Sequence, residues 1–277
     1  MKTGMRTDIY YINGTDKTDY ERMKRHGYDC ADLQIVADTN HELFSATEER
    51  LKEICLAEKE QANKAGIEFC QAHGPWPVND KTEENRIKNL EYFKTAVRAC
   101  NYMGIEYLIV HPLMPYGWGE EENPSRVEEL NEKFIREICA YAEPFGVIIC
   151  FENLIVTHHI LHSVEKTVEF VNRLNLPNLR ICLDTGHANL FGGDIGDMVR
   201  LCGDKLVSLH VHDNKGTKDE HNMPYFGTIN WDSFKQALKD VGYKGCMTLE
   251  SNIPNFPEDI KEYMLTGMGK VAKYLAE

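Results

Sequence analysis

Eight short apolar runs recur along this chain, and helical spacing fills the gaps between them. The runs are Asp8–Tyr11, Tyr28–Val36, Ile67–His73, Tyr107–His111, Val147–Glu152, Arg180–Asp184, Leu206–His212 and Cys246–Glu250. Helices are expected over Thr47–Ala65, Thr82–Met103, Pro124–Tyr141, Ser163–Leu174, Ile195–Leu201 and Trp231–Val241, where apolar residues return every three or four positions. A strand, its helix and two loops take roughly 30 residues. Eight such units close into a barrel of parallel strands of about 250 residues, and the chain has 277. Gly66, Gly104, Gly146 and Gly242 each stand between a helix and the next strand, where a left-handed residue ends a helix. No Pro- or Ser-rich linker interrupts the series. The expected fold is α/β, a single (β/α)8 TIM barrel, with residues 1–277 as one domain.

The last four runs share a second property. They stop on Glu152, Asp184, His210 and Glu250, each a residue type that ligates metals. In a closed parallel barrel all C-terminal strand ends open on one face, so these four converge. Three carboxylates and one imidazole suit a hard-to-borderline divalent cation. More histidines gather at the same level: His73 ends the third run, His111 the fourth, and His187 follows in Asp184-Thr-Gly-His. Asp219-Glu-His221 lies in the loop Asp213–Asn230, which, with Pro112–Pro124, is expected to lie over that face. His212 is expected to face away from His210 and to serve in packing or support. His26, His41, His158, His159 and His162 are read as surface or loop residues.

The net charge of −13 argues against a nucleic-acid partner, since duplex binders need a basic face. Nine cysteines carry no Cys-x-x-Cys spacing, which points to a reducing cytoplasm and to thiols used as small hydrophobes. No apolar stretch follows the N-terminal charges and none approaches the ~20 residues of a membrane helix, so neither secretion nor a membrane partner is expected.

The strings Cys-Leu-Asp184-Thr-Gly-His187, His210-Val-His-Asp-Asn214, Pro224-Tyr-Phe-Gly227-Thr-Ile-Asn-Trp231 and Thr-Leu-Glu250 resemble the sugar phosphate isomerase/epimerase family. That family has a xylose isomerase-like barrel, related to the ketose 3-epimerases and to endonuclease IV. The resemblance implies one divalent ion held by Glu152, Asp184, His210 and Glu250. Manganese is the expected ion, with zinc, cobalt or magnesium as alternatives. Two departures stand out. The arginine usual after the strand-seven ligand is missing, so that Lys218 is its nearest substitute, and the family's Pro-Gly-x-Gly reads Pro224-Tyr-Phe-Gly227.

The expected function is isomerisation or epimerisation of a sugar, sugar phosphate or cyclitol in the cytoplasm. A proton leaves a carbon beside a carbonyl, and the cation steadies the enediolate. Glu152 and Glu250 act as base and acid. His73, His111, His187, Lys218, His221 and Trp118 are expected to bind substrate, with Trp76 and Phe226 as further apolar contacts. The partner is a small carbohydrate, and a homo-oligomer is compatible with all of this. One alternative is a keto-sugar lyase or dehydratase. Another is an endonuclease IV-like trinuclear zinc phosphodiesterase on abasic DNA, with His73, His111, Glu152, Asp184, His187, His210, Asp219, His221 and Glu250 as its nine ligands. A third is a non-catalytic sugar-binding subunit.

Overall fold

A computed structural model describes residues 1–12, 15–77 and 80–277. Within these residues the strands are β1 (Thr3–Arg6), β2 (Cys30–Leu33), β3 (Glu68–His73), β4 (Tyr107–Val110), β5 (Ile148–Glu152), β6 (Leu179–Asp184), β7 (Leu206–His210) and β8 (Met247–Leu249). The helices are α1 (Tyr20–Arg25), α2 (Glu48–Lys64), α3 (Glu83–Met103), α4 (Pro124–Ala142), α5 (Val164–Leu174), α6 (Thr185–Asn189), α7 (Ile195–Cys202), α8 (Trp231–Asp240) and α9 (Glu258–Ala276). The strands are parallel and run in the order β7-β6-β5-β4-β3-β2-β1-β8. Val211 joins the two ends: its amide donates to the Thr248 carbonyl at 2.9 Å, and its carbonyl accepts from the Glu250 amide at 3.0 Å. The result is the expected barrel of parallel strands alternating with helices.

Local chemistry explains most boundaries. Thr47, Thr82, Asn123, Ser163, Asp184, Asp194 and Asn230 each cap the helix that follows by accepting a backbone amide on the side chain. Gly66, Gly104, Gly146 and Gly242 all hold positive φ.

The first strand is displaced from its expected place. Asp8–Tyr11 is not extended; Thr7–Tyr10 forms a 3-10 turn, and β1 lies earlier. Gly4 hides β1 in the sequence, and a Cβ there would crowd Cys246 Sγ at 3.1 Å. Helices α1, α6 and α9 also escape the periodicity, α1 and α6 because they are too short to show a full apolar stripe.

Strand side chains alternate with period two, so each strand that ends on a polar site residue carries a lumen residue two positions earlier. Cys150 precedes Glu152, Cys182 precedes Asp184, Ser208 precedes His210 and Gln71 precedes His73. Ile109, Cys150 and Cys182 pack together inside the barrel, apart from the main apolar core between sheet and helices. Gln71 crosses the lumen, accepting from Ser208 Oγ and donating to Asp32 Oδ2 and the Leu209 carbonyl. This filled floor sets the depth at which the site begins.

Candidate metal centre

Glu152, Asp184, His210 and Glu250 meet at the C-terminal end of the barrel, with one ligand-type atom from each lying within 4.8 Å of the others. Their strands were far apart in sequence and adjacent in the sheet, which is the convergence that the strand ends implied. His210 Nδ1 lies 3.0 Å from Glu152 Oε1 and 3.3 Å from Glu250 Oε2. The other ring nitrogen, Nε2, is 3.1 Å from Asp32 Oδ2. Asp32 therefore orients the ring and turns Nδ1 toward the two glutamates. This residue was missed in the sequence reading. Its signal was an acid inside the apolar run Ala31-Asp-Leu33, completely buried in the structure.

Two further clusters adjoin the first. His73, His111 and Glu152 form one, so Glu152 is shared; His187, His212, Asp219 and His221 form the other. Three of these rings are held in the same way. Nδ1–H of His73 donates to the Gly74 carbonyl at 2.8 Å, that of His187 to the Asn153 carbonyl at 2.9 Å, and that of His221 to the Glu250 carbonyl at 2.8 Å. Each bond turns Nε2 toward the cluster, and that of His221 meets Asp219 Oδ2 at 2.9 Å. His73 Nε2 then lies 3.2 Å from His111 Nε2, which is 3.3 Å from Glu152 Oε2.

The acceptors outnumber the donors that could satisfy them. Glu152 Oε2, Asp219 Oδ1, Asp32 Oδ1, His111 Nδ1 and His212 Nδ1 are buried without a hydrogen-bond partner among the described residues. Buried carboxylates in such numbers are costly unless a cation or protons compensate them. The donor set thus fits one or more divalent ions. With none, the protonated His187 and His210 rings take that role. Burial raises the Glu152 carboxyl, but His111 and His210 outweigh it and hold it down at about 2. Burial lowers His187, and Asp184 and Asp219 pull it up to about 10. Burial, with the neighbouring His73, His187 and His210 rings, outweighs Glu152 and lowers His111 to about 3, which leaves that ring neutral near pH 7.

His212 does not face away from His210. Residues two apart in a strand share a face, and both rings enter the site; His212 Nε2 is 3.0 Å from Asp184. Gly186 makes room for it, since a Cβ there would fall 1.9 Å from His212 Cε1. Asp184 also caps α6 through the His187 amide. The Asp-Thr-Gly-His string thus places a carboxylate, a gap for a ring and a second ring.

The loop after β7 is built on Asp213. Its carboxylate accepts from the amides of Asn214, Tyr225, Thr228 and Ile229 and from Trp231 Nε1. A Cβ on Gly227 would come within 2.2 Å of that carboxylate. Tyr225, in place of the resembled glycine, is held at φ +76°. Anchored this way, the loop directs Asp219 and His221 inward and leaves Lys218 exposed, with no hydrogen bond or ion pair to a described residue. Phe226 is also exposed rather than facing the site.

A cleft of about 280 Å³ opens over the cluster, lined by His73, His111, Glu152, His187, Asp219, His221 and Glu250 together with Arg6, Gln34, Trp76 and Trp118. Trp76 packs on His111 with ring centroids 4.4 Å apart and meets Trp118 edge-on at the rim, where Trp118 is 60% exposed. Arg6, at the end of β1, is the cation that Lys218 is not: its Nη1 lies 3.8 Å from Glu250 Oε1. The misplaced first strand concealed it. His159 and His26 are buried, not surface residues. His159 bonds the Leu113 carbonyl, His26 lies between Tyr10 and Glu262, and neither lines the cleft.

Residues 20–269 match the family model for the xylose isomerase-like TIM barrel. An inosose isomerase of Bacillus velezensis is 23% identical over 281 residues, covering 95% of this chain and 94% of its own. A D-psicose 3-epimerase of Enterocloster bolteae is 24% identical over 259 residues, covering 89% and 82%. Among solved structures, the IOLI protein with a bound zinc atom superposes with a TM-score of 0.76 at 21% identity, over 100% of this chain and 96% of that one.

Proposed function

The chain belongs to the xylose isomerase-like TIM barrel family, and from that membership we propose that it is a divalent-metal-dependent isomerase or epimerase of a sugar, sugar phosphate or cyclitol. The observation that carries this reading is the arrangement of Glu152 and Glu250. They come from β5 and β8, reach the same nitrogen of His210, and border a cleft of monosaccharide size. Similarity to an inosose isomerase and a D-psicose 3-epimerase supports the same substrate class.

Glu152, Asp184, His210 and Glu250 would hold the cation, with manganese or an ion of similar hardness suited to three carboxylates and an imidazole. An ion bound there would supply Lewis-acid stabilisation of negative charge on a substrate oxygen. Glu250 and Glu152 move the proton at the adjacent carbon, one removing it and the other returning it. Arg6 and the Nε2 atoms of His187 and His221 bind hydroxyl or phosphate oxygens. Trp76 and Trp118 cover the apolar side of the ring and exclude water.

The test is solvent exchange. Purified protein loaded with manganese, cobalt or zinc is incubated in deuterated water with candidate ketoses, inososes and their phosphates. Deuterium entering the carbon next to the carbonyl is the expected result. Its absence from every candidate, with the ion bound, would overturn the proton-transfer reading.

The three adjoining clusters favour one second reading. They divide nine residues among three places and share Glu152, and His212 joins the third. Such a set can hold three zinc ions and act on a phosphodiester of abasic DNA. Metal analysis separates the readings: one ion per chain with deuterium exchange supports the first, and three zincs with cleavage of an abasic duplex support the second.

A further inference from the structure

At the end of the barrel opposite the cleft, three thiols meet. Cys30 begins β2 and Cys246 immediately precedes β8. Cys70 stands in β3 where the pairing with β2 slips by one residue. The three Sγ atoms lie within 4.8 Å of one another. An ion with Zn–S bonds of about 2.3 Å holds its sulfurs roughly 3.8–4.0 Å apart, so only small shifts separate this cluster from ligation.

These thiols differ from the other six. Cys55, Cys100, Cys139 and Cys202 pack in the apolar core, and Cys150 and Cys182 pack in the lumen; Cys30, Cys70 and Cys246 join none of these clusters. They border a separate cleft whose charged walls include Lys2, Glu68, Glu106 and Lys244, which gives an ion a path from solvent. Opposite them β1 presents Gly4, where a Cβ would stand 3.1 Å from Cys246 Sγ and 3.3 Å from Cys70 Sγ. The thiols also meet neighbouring oxygens: Cys70 the Ala31 carbonyl at 3.3 Å and Thr248 Oγ1 at 3.6 Å, and Cys246 the Lys2 carbonyl at 3.4 Å. No disulfide engages them.

We infer that Cys30, Cys70 and Cys246 form a three-thiolate site for a soft cation of the zinc class, distinct from the carboxylate and imidazole clusters at the other end of the barrel. Thiolates select such ions over the hard ones that suit carboxylates. Binding would release the thiol protons to solvent and leave a fourth position for water on the cleft side.

Cadmium is the probe, because its ultraviolet sulfur-to-metal charge-transfer band reports thiolate ligation alone. Reduced protein titrated with cadmium is expected to develop this band, saturating at one ion per chain. Cys70→Ser and Cys246→Ser should each abolish it, and Asp184→Asn should leave it intact. In the unaltered protein, cadmium should protect Cys30, Cys70 and Cys246 from alkylation, as read by peptide mass spectrometry. The proposal is overturned if the band does not form, if it survives in both serine variants, or if these three thiols alkylate equally fast with and without cadmium.

Discussion

At the scale of single residues, the site asks two glutamates to act and many others to hold them. Glu152→Gln and Glu250→Gln keep the side-chain shape and remove the proton acceptor. Each is expected to lower deuterium exchange and turnover by about 10²–10⁴-fold, with an unchanged circular dichroism spectrum; wild-type rates in both variants would refute the assignment. His159 makes a different prediction. Its Nδ1 accepts from the Leu161 amide at 3.1 Å and its Nε2–H donates to the Leu113 carbonyl, so the neutral ring is fully used. Burial lowers its pKa from 6.5 to about 4, with Glu121, His158 and His162 nearby. The unfolded chain therefore binds this proton first, and stability falls as pH drops from 6.5 through 4, by at most roughly 3 kcal/mol. Denaturant titrations at pH 7 and pH 4.5 should show a smaller drop for His159→Asn than for the unaltered protein.

At the scale of elements, glycines separate positions where bulk is forbidden from positions where it is merely absent. Gly186→Ala in α6 drives a methyl into His212, which Asp184 holds in place. It should cost about 1–3 kcal/mol and lower the metal content measured after dialysis. Gly267→Ala in α9 meets nothing within 4 Å and should gain roughly 0.5–1 kcal/mol from helix propensity. The same elements show what was legible in the sequence. The four ligand-type strand ends were visible because apolar runs stop on them, and the glycines at helix ends because their backbone needs are local. Arg6 and Asp32 were not. Arg6 depended on finding β1, whose Thr-Gly-Met-Arg lacks a strand pattern. Asp32 lay inside the expected strand Tyr28–Val36 with no partner near it in sequence, and only the barrel brings it 3.1 Å from His210. Lys218 was chosen because it fell near the right place in sequence, but Asp213 fixes a loop that points it outward.

At the scale of the whole molecule, the cation and the fold are coupled. Its proposed ligands come from four strands, so removing it leaves several carboxylates dependent on protonated rings for compensation. Treatment with a chelator should lower the melting temperature, and adding back manganese or zinc should restore it in proportion to the logarithm of free ion concentration; an unchanged melting temperature at full metal removal would contradict this. Val211 gives that coupling a place to be observed. Every other neighbouring pair of strands is laced by a ladder, whereas β7 and β8 are joined by the bonds of one residue. That junction is the natural zipper end of the cylinder, and His210 and Glu250 sit on its two sides. An ion gripped by both acts as a rivet across the gap, so the amides of Val211 and Glu250 should trade hydrogen for deuterium more slowly when the rivet is in place.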